Sequence, residues 1–143
     1  MLRTRLRIAA ISTALVLALG GSLVTVAPVW LPELPEGAPP IPEDHVQVFG
    51  YATLSNPLVR SAVVGRLVTS DAAELEGWRR IGRDLLQDPE GVTEGRVFTV
   101  SPDGLRRLDR FEQAGLRYHR RLKPLTDGTE AWVYGLIVPV GGR

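Results

Sequence analysis

The sequence predicts an α+β domain, or a small barrel decorated with helices, behind an N-terminal apolar segment. Three observations predict it. Five short stretches are rich in β-branched and aromatic residues, and two helix starts are signalled by Asn56-Pro57 and Ser101-Pro102. The run from Ile8 to Pro32 carries no charge, with Arg3, Arg5 and Arg7 directly before it.

That first run is long enough for a transmembrane helix, since about 20 apolar residues span the hydrocarbon core. Basic residues precede it and none recurs until Arg60, so the N-terminus is expected inside and the remainder outside the cytoplasm, periplasmic or extracellular. Trp30 suits the outer interface. A cleaved secretory signal shares the basic start, with Thr25-Val26-Ala27 or Ala18-Leu19-Gly20 as the small-residue site, but its apolar stretch is usually shorter. The reading is therefore an anchor or signal segment over 1–31, a Pro-rich linker over 32–45 and a domain over 46–140. Prolines at 28, 32, 35, 39, 40 and 42 favour extended geometry, a stiff stalk reaching on the order of 40 Å.

Within the domain, Val46 to Leu54 reads as a strand running into a loop. Asn56-Pro57 starts a helix that continues to Gly65. Between Leu67 and Pro89 the pattern is weak. Leu75 to Ile81 is a strand candidate with Trp78 as its core anchor, and Asp88-Pro89-Glu90-Gly91 reads as a turn. Val92 to Val100 is a strand, followed by a helix from Ser101 that Gly115 stops. Tyr118 to Leu125 and Glu130 to Val138 flank the hairpin signal Asp127-Gly128. The last strand, apolar on both faces, is expected to be central or barrel-forming.

Of the 17 Lys and Arg, three precede the apolar run, leaving 14 against 16 Asp and Glu in the exported part. That balance lacks the basic footprint of a nucleic-acid binder. The absence of cysteine excludes disulfides, thiolate nucleophiles and Cys-based metal sites. His45 and His119 stand in no metal-binding spacing, so no metal is expected. No GxSxG elbow and no phosphate-binding Gly-rich loop is present.

Chemistry then concentrates on the Ser101 helix. Leu105, Leu108 and Phe111 form one stripe, while Arg106, Arg107 and Arg110 point away as a solvated face. Glu112 falls one turn beyond Leu108, within about 40° of it, and Asp109 lies at the margin of the same face. A carboxylate on the core side is paired, protonated or working. Glu112 thus reads either as a buried acid bonded to backbone or arginine, or as a general base whose pKa an apolar pocket raises.

Three segments in order, Val48-Phe49-Gly50-Tyr51-Ala52-Thr53-Leu54, then Glu94-Gly95-Arg96-Val97-Phe98 with Leu108-Asp109-Arg110-Phe111-Glu112, then Tyr118-His119-Arg120, resemble the gamma-glutamylcyclotransferase-like family. That family has a YGTL-type loop after its first strand, a GEVY-type strand, an LDxFEG helix end and a YxR strand. The resemblance implies a small mixed β-barrel flanked by helices, with a pocket between the Tyr51 loop and the Ser101 helix. It makes Glu112 the catalytic general acid/base. Tyr51, Ala52, Thr53 and Leu54 become the loop whose N–H groups hold substrate oxygens, and Tyr118 a pocket-side tyrosine. The implied reaction is cofactor-free cyclisation of a gamma-glutamyl amine or peptide to 5-oxoproline. The alternative is a binding domain of the same fold that holds a small ligand without turnover. This chain departs from the pattern at five places. Ala52 and Gln113 replace glycines, Ser55 stands where a basic residue is common, Arg96 where an acid is, and Phe98 where tyrosine is. A positive φ at Ala52 costs about 1 kcal/mol.

Overall fold

A computed structural model describes residues 31–137. The predicted transmembrane or signal segment lies outside the described residues, apart from its last residue. Among the described residues, no helix is long and apolar enough to cross a membrane.

Among the described residues, five strands and two helices follow in order. Strand β1 (Val46–Gly50) leads through a helical turn, Ala52–Ser55, into α1 (Pro57–Val64). Strands β2 (Asp71–Ile81) and β3 (Asp84–Val100) form a long hairpin, α2 (Pro102–Glu112) follows, and β4 (Tyr118–Pro124) pairs with β5 (Glu130–Leu136). The sheet order is β2-β3-β1-β5-β4. Every pairing is antiparallel except β1 with β5. β5 is therefore interior, as its apolar run predicts, and buries Ala131, Val133 and Tyr134.

Both faces of β1 are covered, so neighbouring residues serve different cores. Val48 packs with Val64, Leu105 and Leu108 beneath the helices, while Phe49 packs with Leu75, Leu125 and Val133 on the other face. Gathering residues from β2 and from the β4–β5 loop around Phe49 requires the sheet to curl. Its two edges meet through Thr126 N–H donating to Glu74 O (3.0 Å) and through the Lys123 ammonium 4.2 Å from the Trp78 ring centre. No strand ladder joins them among the described residues. The expected barrel is accordingly a curled half-barrel.

The helices start where the caps predict. Asn56 Oδ1 accepts from Leu58 N–H (2.9 Å), and Ser101 Oγ accepts from Gly104 N–H (3.2 Å), with proline opening both helices. The stop of α2 differs from the expectation. It ends at Glu112, with Gln113 in the left-handed conformation (φ 53°), two residues before Gly115.

Other expectations also need correction. The core anchor of β2 is Leu75, whereas Trp78 is half-buried beneath Lys123. Asp88 to Gly91 is no chain reversal. Glu76 pairs with Val92 and Trp78 with Gln87, so those four residues bulge out of β3 opposite Gly77. The reversal is made by Gly82 (φ 62°) and Arg83, between paired Ile81 and Asp84. The Pro-rich segment does not stand away as a stalk from Leu31 to Ile41. Arg110 donates to Leu31 O (2.6 Å) and Pro32 O (2.7 Å), Arg120 donates to Pro40 O (2.9 Å), and Ile41 packs on the core.

Ala52 (φ 50°) and Gln113 are the two described non-glycine residues at positive φ. Replacing either by glycine relieves left-handed strain but adds freedom to the unfolded chain, the first effect being the larger. Ala52→Gly and Gln113→Gly should each stabilise the domain by about 0.5–1 kcal/mol, a rise of a few degrees in Tm. Ala52→Val should lower it. Thermal unfolding followed by circular dichroism reads this, and no gain from either glycine would show that the turns carry no strain.

Candidate active site

The helical turn after β1 and the end of α2 face each other across a cavity of about 150 Å³. Each wall has a local cause. β1 ends at Gly50, where an added Cβ would lie 2.9 Å from both Leu54 and Phe98 side-chain atoms, so the chain can fold tightly back. Leu54 N–H then donates to Tyr51 O (3.1 Å), and the Ser55 hydroxyl to Ala52 O (2.6 Å). Tyr51, Ala52, Thr53 and Leu54 line this side. The opposite side is Phe111, Glu112 and Gln113, and Tyr118 closes it from β4. All six residues singled out in the sequence therefore border one cavity.

A buried network fixes the two walls relative to each other. Asp109 is fully buried, not marginal, and it accepts from Arg120 Nε (2.9 Å) and Nη2 (3.1 Å) and from the Tyr134 hydroxyl (2.6 Å). Tyr134 in turn offers its carbonyl to the Tyr51 hydroxyl at 2.5 Å. One residue of β5 thus ties the turn to the helix that carries Glu112. Burial, followed by Glu112, Tyr118 and Asp84, raises the pKa of Tyr51, so its phenol stays protonated as a donor.

Glu112 sits one turn from Asp109 in the opposite condition. Among the described residues, no hydrogen bond or ion pair engages its carboxylate, so neither the backbone nor an arginine satisfies it. Burial pushes its pKa from 4.5 up to about 7; Arg117 opposes the rise and Asp84 adds to it. No metal-holding cluster of His, Asp or Glu occurs among the described residues.

Sequence reasoning missed the tip of the β2–β3 hairpin. Arg83 borders the cavity, and Asp84 Oδ1 accepts from the Tyr118 hydroxyl (2.7 Å), which pins the tip over the site. Burial, then Asp84, raises the Tyr118 pKa. The Arg117 guanidinium lies 5.4 Å from the Tyr118 ring centre. Asp109 and Arg120 had a signal, since both belong to the segments that carry the resemblance. Arg83 and Asp84 had only the weak turn signal of Gly82.

A family model described as gamma-glutamyl cyclotransferase, AIG2-like, matches residues 48–139. Two solution structures of Arabidopsis thaliana proteins are similar in fold. One is 21% identical with a TM-score of 0.57, covering 69% of this chain and 66% of that one. The other is 25% identical with a TM-score of 0.56, covering 66% of this chain and 70% of that one. No curated protein matches the chain.

The raised pKa of Glu112 sets a sign for stability. The folded protein holds a proton that the unfolded chain releases between pH 4.5 and about 7, so stability falls as pH rises through that window and is level above it. The fall is on the order of 2 kcal/mol, allowing for partial exposure. Glu112→Gln should flatten this slope and leave the domain more stable than wild type at pH 8. Urea unfolding at pH 5 and pH 8 measures it; equal slopes in both proteins would refute the desolvated carboxylate.

Proposed function

The chain belongs to the gamma-glutamyl cyclotransferase, AIG2-like family, and we propose from this that it cyclises a gamma-glutamyl amine or peptide to 5-oxoproline, with Glu112 as general acid/base. The observation that carries the reading is an unpaired, desolvated carboxylate of pKa about 7, facing the opening of a helical turn across a small cavity. A base poised near neutrality is half ionised at working pH, which suits proton transfer in both directions.

The substrate brings its own nucleophile. Its α-amine attacks the γ-carbonyl carbon, the ring C–N bond forms, and the amide C–N bond to the departing amine breaks. Closure of a five-membered ring gains from proximity alone, an effect worth several kcal/mol. Glu112 takes protons from the α-nitrogen and passes them to the leaving nitrogen. The α-nitrogen loses two protons on becoming the lactam N–H, and the amine gains two on leaving as an ammonium ion, so Glu112 ends as it began. Ala52 and Thr53 open the helical turn, and the first N–H groups of such a turn lack partners within it. They are suited to hold carboxylate or carbonyl oxygens as charge develops. Tyr118, committed to Asp84, shapes the wall. The cycle uses no cofactor.

The same proposal places the domain outside the cytoplasm, anchored in the membrane by the charge-free run; detection of residues 1–27 in the mature protein by mass spectrometry supports the anchor, and their loss indicates a cleaved signal.

Glu112→Gln should reduce 5-oxoproline formation at least 10²-fold while retaining the fold and ligand binding. In wild type, kcat/KM should rise with pH through about 7, because the base must be deprotonated to start the reaction. Product assay by chromatography over pH 5–9 tests both. Undiminished turnover in the variant would remove Glu112 from the mechanism, and a binding domain without turnover would show ligand affinity with no product in wild type.

A further inference from the structure

Arg60 is 2% exposed, yet among the described residues no acid pairs with it. Its Nη1 donates to Leu54 O (3.0 Å) and Ser55 O (3.3 Å), and its Nη2 to Ser70 Oγ (2.9 Å). Its Nε has no partner, and the guanidinium lies 5.2 Å from the Phe98 ring centre. A second cation is its neighbour, since Arg96 donates to the same Ser70 hydroxyl (3.1 Å) and to Ser70 O (2.6 Å). Burying a guanidinium beside another, with no counter-ion, is costly. An apolar side chain of similar length would fill the space at lower cost, so the charge has a use that packing alone does not supply.

That use lies in the two carbonyls. In a trans peptide the C=O and the following N–H point in opposite directions, so fixing a carbonyl fixes the next amide. Drawing Leu54 O and Ser55 O toward Arg60 sets the orientation of the Ser55 and Asn56 amides, and Asn56 N–H closes the turn on Thr53 O (3.3 Å). The turn carries left-handed strain at Ala52, and such strain persists only where surrounding structure enforces it. Arg60 itself does not border the cavity. We infer that Arg60 is a positioning residue, the clamp that holds the Tyr51–Ser55 turn in its ligand-binding shape from the side away from the cavity. The clamp is a property of the fold; its effect on turnover rests on the cyclotransferase reading.

Amide hydrogen exchange in Arg60→Met and Arg60→Lys, made in the full chain, separates the two. In Arg60→Met the amides of Leu54 and Asn56 should exchange at least tenfold faster, while those of β1 and β5 keep their protection. Arg60→Lys, which keeps the charge but not the forked geometry, should fall between. Turnover in Arg60→Met should drop at least tenfold in kcat/KM with the pH profile unmoved, because Glu112 is untouched. Unchanged turn protection in Arg60→Met, or equal loss across the whole sheet in both variants, overturns the clamp. Should Arg60→Met fail to fold, intermediate and turn-confined loosening in Arg60→Lys supports the clamp, and its absence overturns it. If wild type converts no gamma-glutamyl compound, the exchange data still decide the clamp, and the cyclotransferase reading fails separately.

Discussion

The buried triad of Asp109, Arg120 and Tyr134 is the constraint on which the rest of the site depends. Removing an ion pair from water costs several kcal/mol per ion, recovered only when geometry is good and remaining lone pairs are engaged. Here both carboxylate oxygens of Asp109 are taken, one by Arg120 Nε and the Tyr134 hydroxyl and the other by Arg120 Nη2. Arg120 also stacks 4.5 Å from the Trp132 ring centre and donates to Pro40 O. Such directional bonds fix α2 against β4 and β5 in a way that an apolar contact, free to slide, does not. Through the carbonyl of Tyr134 the same network reaches Tyr51, so the two walls of the cavity are held by one set of bonds.

Backbone strain is concentrated at those walls. Ala52 and Gln113, both at positive φ, stand on opposite sides of the cavity, and both occupy positions where the resembling family has glycine. Here the left-handed backbone is adopted without glycine, so the geometry of the turn and of the helix end is imposed by the surrounding fold. Side chains now project where glycine offers none. A cavity of about 150 Å³ is small beside the roughly 300–1,000 Å³ of typical ligand pockets. It suits a group of about one amino acid, the remainder of any larger ligand extending past Arg83 and Arg117 at the exposed rim.

Local chemistry in the sequence was legible where it acts locally. Both proline-led helix caps, the interior position of the last strand and the core-side placement of Glu112 follow from residues within a few positions of one another. What was not legible depends on distant partners. Asp109 looks marginal by helical period alone, and only Arg120, on a different element, shows why it is buried. Asp88-Pro89-Glu90-Gly91 carries stronger turn residues than Gly82-Arg83, yet strand pairing on both sides of Gly77 converts the stronger signal into a bulge. The Pro-rich segment has the composition of a free stalk, but its carbonyls find arginines of α2 and β4. Arg60 has no sequence signature, because its partners are two backbone oxygens and the hydroxyl of Ser70, ten residues away.

Asp109 and Glu112 show how one helix gives two carboxylates opposite surroundings. They are three residues apart, so they differ by about 60° around the axis. That rotation is enough to aim Asp109 into the layer between α2 and β5, where three donor groups bond it, and Glu112 toward the cavity, where among the described residues none is bonded to it. Burial raises the pKa of both acids. At Asp109 the Tyr134 hydroxyl and Arg120 oppose the rise by direct bonds, whereas at Glu112 no bonded donor does and only the more distant charge of Arg117 opposes it. On the proposed cyclotransferase reading, that difference in bonding separates a holding carboxylate from a reacting one. The division also explains why the network stops short of Glu112. A donor strong enough to fix that carboxylate would lower its pKa and remove its capacity to take a proton near neutral pH. The rigidity of Asp109 and the solitude of Glu112 are therefore one arrangement: the first positions the helix end so that the second needs no bond of its own.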